Sequence, residues 1–126
     1  MNLGVFGAAL VLGISAIGSA IGIGIAGQAS IGAWKKCYLS NKPAPFILTV
    51  FAGAPLTQTI YGFLLILGIF SGLAIAFSAV IQGKAGAAGA DALCETGKGF
   101  SQYITVVGLC ETVALFVLVF SMVALG

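Results

Sequence analysis

The 126-residue sequence contains no histidine and no arginine, and only 6% of its residues are charged: five lysines and three acids. Each shortage excludes something. A soluble domain carries roughly 25% charged residues, so this chain cannot cover its own surface with polar groups. Lipid must cover it, and the 60% hydrophobic composition marks an integral membrane protein. Without histidine, and with Cys37, Cys94 and Cys110 at no metal-ligand spacing, a zinc site is excluded. An odd, scattered set of thiols fits the reduced state better than a disulfide framework. There is no nucleophile–base pair, no phosphate loop and no nucleic-acid signature. The alternating glycines of "GIGIAG" (22–27) follow no strand and lie in a membrane helix. The N-terminus lacks the positive region and short apolar core of a cleaved signal peptide, so its apolar stretch reads as a retained span.

Long apolar runs are what the sequence does have. A membrane helix needs about 20 apolar residues, which gives four spans at roughly 3–33, 46–69, 72–92 and 101–125. The first connection, "WKKCYLSNKPAP", is polar and ends in two prolines. The second, "FSG" at 70–72, is short enough to force a tight helical hairpin. The third, "DALCETGKGFSQY", holds two of the three acids. Lys35, Lys36 and Lys42 lie in the first connection, and Lys84 and Lys98 in or beside the third. Positive residues stay cytoplasmic, so loops 34–45 and 91–100 are expected in the cytoplasm and both termini outside. Lys84 lies well inside span three and is expected to snorkel toward the cytoplasmic surface.

The halves resemble each other. "GIAGQASIGA" (24–33) aligns with "VIQGKAGAAGA" (80–90), and "LTQTIYGFLLIL" (56–67) with "LCETVALFVLVF" (109–120), which sets Gln58 over Glu111. The expected fold is therefore an all-α membrane protein of two tandem duplicated helical hairpins, about 1–70 and 71–126, in a single membrane domain. Gly18, Gly22, Ala26 and Ser30 form a small-residue series along span one. Ala74, Ser78, Gln82, Gly86 and Ala90 repeat it in span three. Such faces let helix backbones approach closely in lipid. Small residues on many faces need several neighbours at once, which favours a homo-oligomer with spans one and three inside. A compact four-helix monomer is the alternative.

Glu111 is the one acid deep in a span. With a rise of about 1.5 Å per residue, Gln58, Gln82 and Glu111 lie within roughly one helical turn of the same depth. An ionised carboxylate there costs about 2.5–3.5 kcal/mol even on the mild insertion scale, and it marks a functional site by default. Its charge can be removed by a proton or by a bound cation. Gln58 and Gln82 offer amide oxygens, Thr57 a hydroxyl, and Pro55 frees carbonyls by breaking the helix. Such a set suits an oxygen-ligated hard cation. Tyr61, one turn beyond Gln58, is placed to donate its hydroxyl to Glu111. Each residue also has a plainer reading, as helix-to-helix glue, a back-bonded threonine or a packing aromatic. The matched depths favour the site.

"PLTQTIYGF" in span two, "IQGKAGAAG" in span three and "CETVAL" in span four resemble the membrane-rotor proteolipid of V-type ATPases. Within it the likeness is greatest to the sodium-translocating bacterial K subunit, and it extends over essentially the whole chain. The turn between spans two and three is about twenty residues shorter than in that subunit, at about 1.5 Å per helical residue a difference confined to the outer rim. The resemblance implies a non-enzymatic ring subunit in which Glu111 is the essential carboxylate. It makes Gln58, Gln82 and Thr57 side-chain ligands of Na+, Ala54 a backbone-carbonyl ligand and Tyr61 the partner of Glu111. It further implies a stator membrane subunit with an arginine, a central-stalk subunit, identical ring neighbours and a bacterial plasma membrane. A proton-carrying rotor of the same architecture would need the carboxylate but not the other oxygens. A small four-span drug/proton antiporter would carry its glutamate in the first span and work as a dimer.

Overall fold

The computed structural model describes residues 3–64 and 69–125, with side chains except those of residues 3–5, 8, 61–64, 69, 121, 124 and 125. The described residues form α1 (Leu3–Leu39), α2 (Leu48–Gly53), one turn of 3-10 helix (Ala54–Leu56), α3 (Thr57–Leu64), α4 (Ile69–Thr96) and α5 (Phe100–Leu125). Helices are the expected answer to an environment without water, since each satisfies its own backbone. Among the described residues three are long and apolar enough to cross a membrane: Ala9–Leu39, Phe70–Thr96 and Phe100–Phe120.

Several boundaries differ from the expected spans, each for a local reason. Residues 34–39 and 91–96, expected in connecting loops, continue α1 and α4. There Ala33, Cys37, Ala90 and Leu93 remain buried, and Lys36 forms an ion pair with Asp91 and lies 3.7 Å from Glu95. Contacts between the two helices thus outlast the apolar runs. α1 ends where Asn41 turns to φ 52°, with Lys42 N–H bonding Cys37 O and Asn41 N–H bonding Tyr38 O, a Schellman closure. α4 ends at Gly97, φ 66°, whose N–H bonds Leu93 O. Residues 70–72, expected as a turn, lie inside α4, because Gly72 packs against Val11 and Ile14 of α1. The span expected at 46–69 starts at Leu48 and is broken. Pro55 has no N–H to continue the ladder, so Ala54–Leu56 tightens into a 3-10 turn that separates α2 from α3. Lys84 is exposed on α4.

α1 and α4 run parallel at backbone contact. Gly18 lies on Ala76, Gly83 on Gly22, and Gly86 beside Ala26. A Cβ on Gly83 would overlap the Gly22 backbone itself. The broken helix runs antiparallel to α1: Trp34 Nε1 donates to Pro45 O at 2.8 Å, and Ser30 Oγ reaches Leu48 O at 3.2 Å. α5 runs antiparallel to α4, with Ser78 Oγ donating to Cys110 O at 2.6 Å. Two apolar clusters result. Ala33, Leu48, Phe51, Ala90, Leu93 and Val107 pack at the loop end, and Val11, Ile75, Ala114 and Leu118 at the other.

The three cysteines are free, yet they are not scattered: Cys37 and Cys94 bring their sulfurs to 2.8 Å across α1 and α4. Mild oxidation of the purified chain is expected to join Cys37 to Cys94 and leave Cys110 as a thiol, as mapped by peptide mass spectrometry. A bridge that includes Cys110 would contradict the parallel packing.

Candidate functional site

Between the two apolar clusters lies a polar layer built from three directions. α3 opens, just after the 3-10 turn, with Thr57 and Gln58, α4 supplies Ser78 and Gln82, and α5 supplies Glu111. Gln58 and Gln82 are completely buried, whereas Thr57 and Glu111 are half-buried at one side of the layer. Leaving a buried amide unpaired costs about 1–3 kcal/mol per group, so the pairing of each atom matters.

Gln58 Nε2 donates to Gln82 Oε1 at 2.7 Å. Gln82 Nε2 is shared between Val107 O and Glu111 Oε2, each at 3.3 Å. Thr57 Oγ1 lies 2.7 Å from Glu111 Oε1 and 2.9 Å from Ala54 O. Thr57, Gln58, Gln82, Glu111 and the Ala54 carbonyl therefore belong to one connected set. Gln58 Oε1 has no hydrogen-bond partner although it is fully buried. The side chain of Tyr61 lies outside the described residues.

Pro55 shapes this layer. The 3-10 turn it imposes leaves Ala54 O in reach of the Thr57 hydroxyl three residues on, and turns Thr57 toward α5. Electrostatically the layer offers one acid, and the hydrogen bonds that join Thr57, Gln58, Gln82 and Glu111 among the described residues involve neutral donors. Two contributors lie beyond the sequence-based expectation, Ser78, which donates to Cys110 O, and the Val107 carbonyl, and both tie α4 to α5 beside Glu111. The signal for Ser78 is its place one turn before Gln82 in the small-residue series. No residue-type signal exists for a main-chain carbonyl. Among the described residues no group of three or more His, Cys, Asp or Glu is placed to hold a metal, so any cation here would depend on the one Glu111 carboxylate together with amide, hydroxyl and main-chain oxygens.

Thr57 raises a question of proton count. Its hydroxyl has one proton and faces two acceptors, the Ala54 carbonyl and a Glu111 oxygen. If the proton goes to Ala54, the contact with Glu111 is satisfied only by a proton on the carboxyl or by a cation between the oxygens.

A family model for the ATP synthase C subunit matches residues 65–124, which include Gln82 and Glu111. The A-type ATP synthase subunit K of Methanocaldococcus jannaschii is 35% identical over 140 residues, an alignment that takes in 98% of this chain and 61% of that protein. The chain thus spans about three fifths of the length of this curated relative, 61% by alignment. Apolar helices packed through glycine and one acid set among amides accord with both comparisons: residues 65–124 match the ATP synthase C subunit family, and the chain is similar over 98% of its length to an A-type ATP synthase subunit K.

Proposed function

We propose that this chain is the ion-carrying subunit of a rotor ring and binds one Na+ at Glu111. The observation that carries the sodium reading is Gln58 Oε1, a buried acceptor without a donor in a layer that also holds a carboxylate. A cation supplies what that oxygen lacks. Its ligands are the Glu111 carboxylate, the amide oxygens of Gln58 and Gln82, the Thr57 hydroxyl and the Ala54 carbonyl, with Tyr61 as the partner that holds Glu111.

In this reading the chain makes four crossings as two hairpins, and the broken helix that begins at Leu48 makes the second crossing. α1 and α4 line the inside of the ring, and the broken helix and α5 the outside. Exposed Ile17, Ile21, Leu73 and Phe77 on α1 and α4 then meet neighbouring copies. Both termini face outward and the lysine-bearing loops face the cytoplasm, as the positive-inside rule requires, in a bacterial plasma membrane.

The mechanism follows from charge. An occupied site is nearly neutral and can pass lipid, whereas an empty Glu111 carboxylate cannot. The empty site must therefore stop beside a cationic group, the arginine of a stator subunit, with aqueous access on either side. Ring rotation, transmitted through a central stalk and driven by ATP hydrolysis, carries the ion across. Each charge moved against 100 mV costs about 2.3 kcal/mol. One carboxylate per four helices lowers the number of ions per turn and favours pumping against a steep gradient.

A proton-carrying rotor is the second reading, and the Thr57 geometry favours it. With the proton on Glu111, the carboxyl donates to Thr57 and Thr57 to Ala54, and that pair of contacts is complete. Labelling of Glu111 by dicyclohexylcarbodiimide separates the two. Sodium is expected to slow labelling of the purified oligomer at fixed pH. Labelling that follows pH alone, with no response to sodium, would establish the proton reading.

A further inference from the structure

Among the described residues two buried side-chain polar atoms lack a hydrogen-bond partner, Ser19 Oγ and Gln58 Oε1, and they occupy the same level of the fold. α1 and the broken helix run antiparallel with a steady register: Trp34 bonds Pro45, Ser30 bonds Leu48, and Gly22 lies against Pro55. Continued by one further turn, that register sets Ser19 opposite Gln58. Ser19 belongs to the buried face of α1, with Ser15, Gly22, Ala26 and Ser30, and is itself only 2% exposed.

The behaviour of the neighbouring serines sharpens the point. Ser15 Oγ donates to Val11 O at 2.7 Å and Ser30 Oγ to Ala26 O at 2.9 Å, each back onto its own helix. Ser19 has the same option and does not take it. A hydroxyl that is buried, unpaired and level with an unpaired amide oxygen is half of a polar site. The two atoms are not hydrogen-bonded to each other, and a single water molecule is the smallest group able to satisfy both. It accepts from Ser19 and donates to Gln58, within the two to four partners a buried water requires.

We infer that Ser19 and Gln58 hold a buried water, which makes Ser19 a positioning residue of the ion site. The consequence for the ion rests on the sodium reading given above; the water itself does not. An amide oxygen has two lone pairs, so Gln58 Oε1 accepts from the water with one and faces the ion with the other. Gln58 Nε2 is already committed to Gln82. The water therefore secures the remaining end of the amide and prevents the rotation that would present nitrogen to a cation. Supporting contacts behind metal ligands of this kind change affinity by about 10–100-fold when removed. The site so described extends into α1, a helix that supplies no direct ligand.

The test compares Ser19→Ala with Ser15→Ala in the intact complex. The readout is the sodium concentration that half-protects Glu111 from dicyclohexylcarbodiimide at fixed pH. Ser15 serves as control because its hydroxyl is satisfied within α1 and it is buried like Ser19. About a tenfold higher sodium requirement in Ser19→Ala, with Ser15→Ala unchanged, is the expected result. Protection in Ser19→Ala equal to wild type would overturn the inference and leave the sodium reading intact. Absence of protection in the wild type would instead overturn the sodium reading, and with it the effect on the ion. A high-resolution map of the wild-type ring then decides the water, as it does if Ser19→Ala fails to assemble. Density within hydrogen-bond distance of both atoms upholds it, and Ser19 turned onto the Ser15 carbonyl without such density refutes it.

Discussion

Replacing Glu111 with glutamine is expected to abolish ion transport while leaving the oligomer assembled. The substitution keeps the shape of the side chain and the oxygen that faces Thr57, so the packing between the broken helix and α5 persists. It removes the one charge that a transported cation would neutralise. Insertion of α5 becomes easier, because an acid at mid-membrane costs about 2.5–3.5 kcal/mol on the translocon scale and a neutral amide less. Membrane yield should therefore equal or exceed that of the wild type. Ion transport in reconstituted vesicles, which the proposed function assigns to this carboxylate, and carbodiimide labelling at position 111 should both fall to background. Transport that survives at about one tenth of the wild-type rate or above, a loss of at most about 1.4 kcal/mol, would reduce the acid to a packing residue.

Gly83→Ala is expected to cause a large structural loss for a single methyl addition. The added Cβ would fall onto the Gly22 backbone, and backbone has no rotamer with which to yield. α1 and α4 would have to separate along the face that also joins Gly18 to Ala76 and Gly86 to Ala26. Overpacking in cores costs typically about 1–3 kcal/mol, and the upper end applies where both partners are main chain. Separation would also pull Gln82 away from Gln58 and Glu111, since Gln82 adjoins Gly83. Gly53→Ala is the control, because its Cβ meets nothing within 4 Å and its backbone is helical. The exchange there should be neutral or stabilising by up to about 1 kcal/mol. Thermal unfolding in detergent, followed by circular dichroism, measures both variants. Equal stability of Gly83→Ala and wild type would mean that the two helices do not meet as described.

Much of this organisation is visible along the chain, and the reasons differ by feature. Apolar length reports a helix that must satisfy its own backbone in lipid, which is why α5 starts and ends within a residue of the expected span. The ends of α1 and α4 are not legible from apolar length. Those helices run on past the membrane-like stretch through contacts between them, among them Lys36 with Asp91 and Cys37 with Cys94. Residues 70–72 resemble a turn because Ser and Gly favour turns. Gly72 serves a different end, close packing against α1. Pro55 signals a break, yet not the form it takes.

For the site, residue type and depth along each helix single out Glu111, Gln58, Gln82 and Thr57. Depth is a one-dimensional quantity, and it is written in the sequence because each helix advances by a constant rise. What residue type cannot specify is rotation about the helix axis relative to neighbours, and hydrogen bonding depends on that rotation. The sequence by itself determined that this chain is apolar enough to live in lipid and that one acid lies deep within an apolar run. Only the tertiary structure decided that Gln82 faces both Gln58 and Glu111, that Val107 and Ser78 tie α5 to α4, and that Ser19 is left without a partner. Those outcomes are set by how four helical segments are rotated against one another, with α1 and α4 locked through glycine contacts whose partners lie more than fifty residues apart.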